Sequence, residues 1–147
     1  MIYMDNAATT RLSSRALEAM MPYLTEQYAN PAGTYSFTNA SNAAMEKARK
    51  QVADVIGAKS AEIFFTSGGT ESDNWALKGV MRANEKKGRH LIISAIEHHA
   101  ILHTCEWLEK HGYEITYLPV DENGVVKIDE LKKAIRPKTI LISVMFA

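Results

Sequence analysis

Two short stretches hold residue types that suit chemistry. In Ser67-Gly68-Gly69-Thr70-Glu71 two glycines let the backbone come close to a ligand. A helix starting there would offer unpaired N–H groups and the positive end of its dipole, and Thr70 adds a hydroxyl. The stretch therefore suits a phosphate. No lysine follows it, so it is not a Walker A loop, and it is not G-x-G-x-x-G. The plainer reading is a tight turn with a threonine cap. The second stretch is Glu97-His98-His99. A histidine ring is flat enough to stack on a heteroaromatic ring and can move protons near neutral pH. The plainer reading of His98 is a loop histidine. His99 and His103 stand four apart and could share a metal, but no third ligand is evident. Cys105 falls on an apolar stripe with Ile101, Leu102 and Leu108. It reads as a small buried hydrophobe rather than a nucleophile. No lysine sits at a strand end among apolar residues, where desolvation would prepare it for Schiff-base chemistry. Asp5-Asn6-Ala7-Ala8-Thr9-Thr10 is a polar, small-residue arm that by itself reads as a loop.

The elements that must position these residues alternate in type. Leu17, Met20, Met21, Leu24 and Tyr28 fall at helical spacing after Ser13-Ser14, with Pro22 as an interruption or kink. Asn30-Pro31-Ala32-Gly33 reads as a turn. Ala44, Ala48, Val52, Val55 and Ile56 mark a second helix that stops at Gly57. Ile63 to Thr66 reads as a short buried strand, and a helix runs from Glu71 to about Asn84. Thr70 and Asp73 have capping-box spacing. His90 to Ser94 is a second strand, followed by a helix through Ile101 and Leu108 to Gly112. Glu114 to Val120 is a third strand. Asp129 can cap a short helix, and Thr139 to Phe146 is a fourth strand. Strands alternating with helices imply an α/β fold, a mainly parallel sheet flanked by helices in three layers. Ligands in such sheets bind beyond the carboxyl ends of strands. Both chemically unusual stretches lie there.

Composition excludes several classes. The chain has 147 residues, 46% of them apolar, and seventeen basic residues balance seventeen acidic ones. Zero net charge argues against a nucleic-acid binder working through bulk charge, and against disorder. No apolar run reaches the ~20 residues of a membrane span, and Met1 to Asp5 shows no signal peptide. A single cysteine excludes a disulfide framework. A cytoplasmic location is expected. The fourth strand is apolar nearly throughout and nothing follows it, so the chain reads as a piece of a longer protein.

Taken together, these stretches resemble cysteine desulfurases of the NifS/IscS type, within the class V aminotransferases. The match runs through Tyr3-Met4-Asp5-Asn6-Ala7-Ala8-Thr9-Thr10, Asn30-Pro31 and Phe65-Thr66-Ser67-Gly68-Gly69-Thr70-Glu71-Ser72-Asp73-Asn74. It continues through Glu97-His98, Thr104-Cys105 and Ile140 to Met145, and so covers the whole chain. The resemblance implies part of the large domain of an aspartate aminotransferase-like fold, with an N-terminal arm and helix over 1–30 and a partial cofactor domain over 31–147. It implies pyridoxal 5′-phosphate as cofactor and L-cysteine as substrate, with sulfur passed to an enzyme cysteine for iron–sulfur or other sulfur biosynthesis. Gly69 and Thr70 would hold the cofactor phosphate. His98 would stack on its ring and act as the catalytic histidine. Asn6, Ala7, Ala8 and Thr9 would line the substrate side. A homodimer and a sulfur-acceptor or scaffold partner are expected, with no nucleic acid, membrane or metal. Alternatives are a selenocysteine lyase, another class V aminotransferase, or a non-catalytic fragment. The sequence departs from the family after Asn30-Pro31, where a Ser and a His followed by Ser-Phe-Gly are usual and Ala32-Gly33-Thr34-Tyr35-Ser36-Phe37-Thr38 stands instead. The resemblance also implies that the Schiff-base lysine, the asparagine and aspartate that contact the cofactor, and the persulfide cysteine lie beyond Ala147. The 147-residue chain alone is therefore expected to be inactive.

Overall fold

A computed structural model describes residues 2–146. The chain divides into two compact units, Met1–Phe65 and Thr66–Ala147.

The first unit carries two helices. α1 (Ser14–Thr25) starts where the Ser13 side chain accepts the Ala16 N–H. Pro22 lies inside it and does not end it. The turn expected at Asn30 forms, with the Asn30 side-chain oxygen accepting the Ala32 N–H at 3.0 Å. Thr38 closes the segment that departs from the family pattern, since its hydroxyl donates to the carbonyls of Gly33 and Tyr35. α2 (Asn39–Ile56) ends at Gly57, whose φ of 69° is the left-handed conformation that glycine adopts without strain.

The strand expected over Ile63 to Thr66 does not form. The segment is irregular, Ile63 is buried, and Phe64 and Phe65 are exposed. The apolar run has strand propensity, but a strand exists only where a ladder partner pairs with it. No strand pairs with this segment among the described residues.

The second unit holds the sheet. α3 (Gly69–Ala83) precedes β1 (His90–Ser94), and α4 (His99–Lys110) leads to β2 (Glu114–Leu118). α5 (Ile128–Ala134) then leads to β3 (Thr139–Ser143). Lys127, not Asp129, occupies the N-cap of α5, and Asp129 lies in its first turn. The strand order is β2-β1-β3, all parallel. The register of β1 against β3 slips by one residue between His90 and Leu91, leaving Ile140 unpaired. Every residue of β1 is buried, as its central place requires. Leu91 and Ile93 of β1 pack with Leu77 and Met81 of α3 and with Ile101, Cys105 and Leu108 of α4. This cluster fixes both helices against one face of the sheet. The other face carries His90, whose ring nitrogens meet Thr139 Oγ1 at 2.7 Å and Thr116 Oγ1 at 2.8 Å. Both ring nitrogens of a buried histidine are thereby satisfied, and its side chain links β1 to both neighbouring strands.

Candidate active site

α3 begins with uncovered backbone. Gly68 is its N-cap, in extended conformation and with no side chain to cap the helix. The Ser72 N–H donates to the Gly68 carbonyl at 3.2 Å. The amides of Gly69, Thr70 and Glu71 precede that bond and have no intrahelical partner. Neither Gly68 nor Gly69 is in the left-handed region, and a Cβ at either would meet nothing within 4 Å. The glycines therefore leave the amides open rather than relieve a strained turn. Thr70 is not the cap that its spacing to Asp73 predicts. It lies one residue inside the helix, exposed, with its hydroxyl unpartnered among the described residues. Thr66 Oγ1 donates to the Gly68 carbonyl at 3.1 Å and meets Ser72 Oγ at 2.7 Å, which ties the loop to the helix. Not every amide of the loop faces outward. The Ser67 N–H and hydroxyl both donate to Glu71 Oε2 at 2.7 Å. Those two bonds hold the Glu71 carboxyl below its ordinary range.

His98 follows β1 after three residues and is the N-cap of α4. Its Nδ1 accepts the Ala100 N–H at 3.1 Å. Its neighbour Glu97 is only 8% exposed and fixes the connection. Glu97 Oε1 accepts the hydroxyls of Ser94 at 3.0 Å and Ser143 at 3.3 Å, so one carboxylate joins the ends of β1 and β3.

Thr70 and His98 line one cavity of about 400 Å³ between α3 and α4. Asn74 and Lys78 of α3, and His103 and Trp107 of α4, complete much of its wall. Asn74 Nδ2 donates to the Thr70 carbonyl at 2.9 Å, and Lys78 Nζ donates to Asn74 Oδ1 at 2.7 Å. The Lys78 ammonium also lies 4.8 Å from the centre of the Trp107 ring. Lys78 and Trp107 are absent from the sequence reading. The signal for Lys78 was available, since Thr70, Asn74 and Lys78 stand at i, i+4 and i+8 on one helix face. Open amides, a free hydroxyl and one ammonium suit an anion, and a flat imidazole beside them suits a planar ring. The donor set therefore fits a phosphorylated heteroaromatic group.

Asn6, Ala7, Ala8 and Thr9 form an exposed turn in the first unit, closed by the Ala8 N–H donating to the Asp5 carbonyl at 3.2 Å. The rings of His99 and His103 stack with centroids 5.5 Å apart, but no group of three or more metal-ligating side chains exists among the described residues. Cys105 is wholly buried. No helix among the described residues is long and apolar enough to cross a membrane.

A parallel sheet with an anion-suited helix start and a histidine at one strand end defines a class of ligand-binding α/β fold. The aminotransferase class-V family model matches residues 2–147, and the chain belongs to that family. It is 58% identical over 146 residues to a cysteine desulfurase IscS of Methanosarcina thermophila, covering 99% of this chain and 36% of the relative. It is 53% identical over 146 residues to a cysteine desulfurase IscS of Clostridium botulinum (strain Kyoto / Type A2), covering 99% of this chain and 37% of the relative. Among solved structures, a NifS-like protein superposes with a TM-score of 0.95 at 46% identity, over 99% of this chain and 40% of the other. A structure described as SspA in complex with cysteine superposes at 0.90 with 38% identity, over 97% of this chain and 41% of the other. The chain thus spans 36–37% of the length of these curated relatives.

Proposed function

We propose that the cavity between α3 and α4 binds pyridoxal 5′-phosphate and that the chain forms part of a cysteine desulfurase acting on L-cysteine. The carrying observation is that Thr70, in the first turn of α3, and His98, the N-cap of α4, line one cavity at the carboxyl end of β1. The open amides of Gly69 and Thr70 and the Thr70 hydroxyl hold the phosphate. The His98 imidazole lies against the ring. The Lys78 ammonium adds a positive charge to the same wall. Asn6 to Thr9 serve the substrate side. The bound cofactor acts as an electron sink for bonds broken at the substrate Cα. The complete enzyme delivers sulfur to an acceptor protein for iron–sulfur cluster assembly, as a cytoplasmic homodimer. Relatives named cysteine desulfurase support the activity, and a related protein described in complex with cysteine supports the substrate.

The experiment is a titration of the 147-residue chain with pyridoxal phosphate, followed by quenching of Trp75 and Trp107 fluorescence. Saturable binding is expected. Thr70→Ala should weaken it about tenfold, the effect of losing one hydrogen bond to a charged group. No alanine or sulfide should be released from L-cysteine. Cys105 is buried, and Lys78, the lysine at the cavity, is engaged with Asn74 and Trp107. Absence of saturable binding, or a Thr70→Ala variant that binds as tightly, would refute the assignment.

A further inference from the structure

We infer that the His98 ring is held in one tautomer, with Nδ1 bare and the proton on Nε2, so that it presents a hydrogen-bond donor to the cavity. The inference rests on the proposed cofactor site for its meaning but not for its geometry. The geometry is the cap of α4. The Ala100 N–H donates to His98 Nδ1 at 3.1 Å, with the His98 backbone in extended conformation. A backbone N–H only donates, so Nδ1 must present its lone pair. The tautomer with hydrogen on Nδ1 would set donor against donor at the positive end of the helix dipole. A neutral imidazole carries one N–H, which then sits on Nε2. Nε2 has no partner among the described residues, and His98 is exposed on the cavity wall.

This arrangement limits what the ring can do. Its one lone pair is committed to α4. Its free nitrogen already carries a hydrogen, so it donates to an oxygen of whatever occupies the cavity. The cap also fixes the ring. Glu97, bonded to Ser94 and Ser143, holds the preceding residue to the strand ends, and the Nδ1 bond holds the side chain.

The structure contains its own control. His111 Nδ1 lies 2.7 Å from the Trp107 carbonyl, an acceptor only, so its proton sits on Nδ1. Long-range proton–nitrogen correlation spectra of the histidine-labelled 147-residue chain at pH 8 read both rings directly. The His98 signals are assigned by their loss in His98→Asn, which keeps a good capping side chain. The expected result is a bare Nδ1 and a protonated Nε2 for His98, and the reverse for His111. Hydrogen exchange at the Ala100 amide gives an independent reading. It should quicken about fivefold in His98→Ala, the effect of a typical N-cap, and return in His98→Asn. A protonated Nδ1 at His98, a mixture of tautomers, or an Ala100 exchange rate unchanged in His98→Ala would each overturn the inference. None of these readings needs the cofactor, so a failed pyridoxal phosphate titration would refute the binding proposal and leave the tautomer standing.

Discussion

Cys105 is the sole cysteine of the chain, and its reactivity tests how the second unit is packed. Its side chain is fully buried among Leu91, Ile101, Leu108 and their neighbours. Burial, and then the nearby carboxylates of Glu109 and Glu97, push the thiol up from its ordinary 9.0 to about 12. Only the thiolate attacks a disulfide reagent. At pH 8 roughly one exposed thiol in ten is ionised, whereas roughly one in ten thousand is ionised when the midpoint is near 12. Ionisation alone therefore slows labelling by ~1000-fold. Burial slows it further, because the reagent must wait for the α4–sheet packing to open. The assay is labelling of the native chain with an aromatic disulfide at pH 8, compared with the chain unfolded in guanidinium. The native rate should be lower by at least ~1000-fold. A native rate within about tenfold of the unfolded one would refute both the burial and the exclusion of Cys105 as a sulfur carrier.

Two further outcomes follow from the sheet. The imidazole of His90 is held below its ordinary midpoint by burial first and by Arg136 second, with Glu114 opposing. The unfolded chain then binds the proton more readily than the folded one, so stability falls as pH drops below ~6.5. Urea unfolding midpoints at pH 7.5 and 5.5 should show that fall, and His90→Val should reduce it; an unchanged difference in the variant would assign the effect elsewhere. Gly88 lies against β3 so closely that an added Cβ would sit 2.2 Å from the Lys138 carbonyl oxygen, the same oxygen that accepts the His90 N–H at 3.1 Å. Gly88→Ala should cost about 2–3 kcal/mol, read as a lower urea midpoint; a midpoint equal to the parent's would show that the strand start yields freely.

Much of this was legible because helix ends carry local signals. Ser13, Gly57 and the apolar stripe of α4 each act within a few residues of their own chain, so their types disclose the element. The parallel sheet was legible because β1 is apolar and is followed by helical spacing. What failed depends on partners far along the chain. Ile63 to Thr66 has the composition of a strand but no ladder partner among the described residues, so its propensity has nothing to act on. Thr70 and Asp73 have capping-box spacing, yet the helix starts earlier, at Gly69. Glu71 reaches back to the Ser67 amide there and fastens the loop itself. The Lys78–Trp107 contact joins two helices, and no spacing within one helix discloses it.

The two halves of the candidate site depend on the same strand for their relative placement. Leu91 and Ile93 of β1 pack against both α3 and α4, so neither helix can shift without disturbing one core. The start of α3 and the start of α4 therefore keep a fixed separation although 28 residues lie between Gly69 and His98. Within that frame the functional groups are short. Thr70 offers a hydroxyl one bond from its Cβ, the amides belong to the backbone, and the His98 ring is pinned at Nδ1. Short, pinned groups lose little rotamer freedom when a ligand arrives. Lys78 is the exception in length, and it is held at two points, by the Asn74 oxygen and the Trp107 ring. A cavity built this way is organised before its occupant binds. The energy of binding is then available for orienting the ring rather than for ordering the wall.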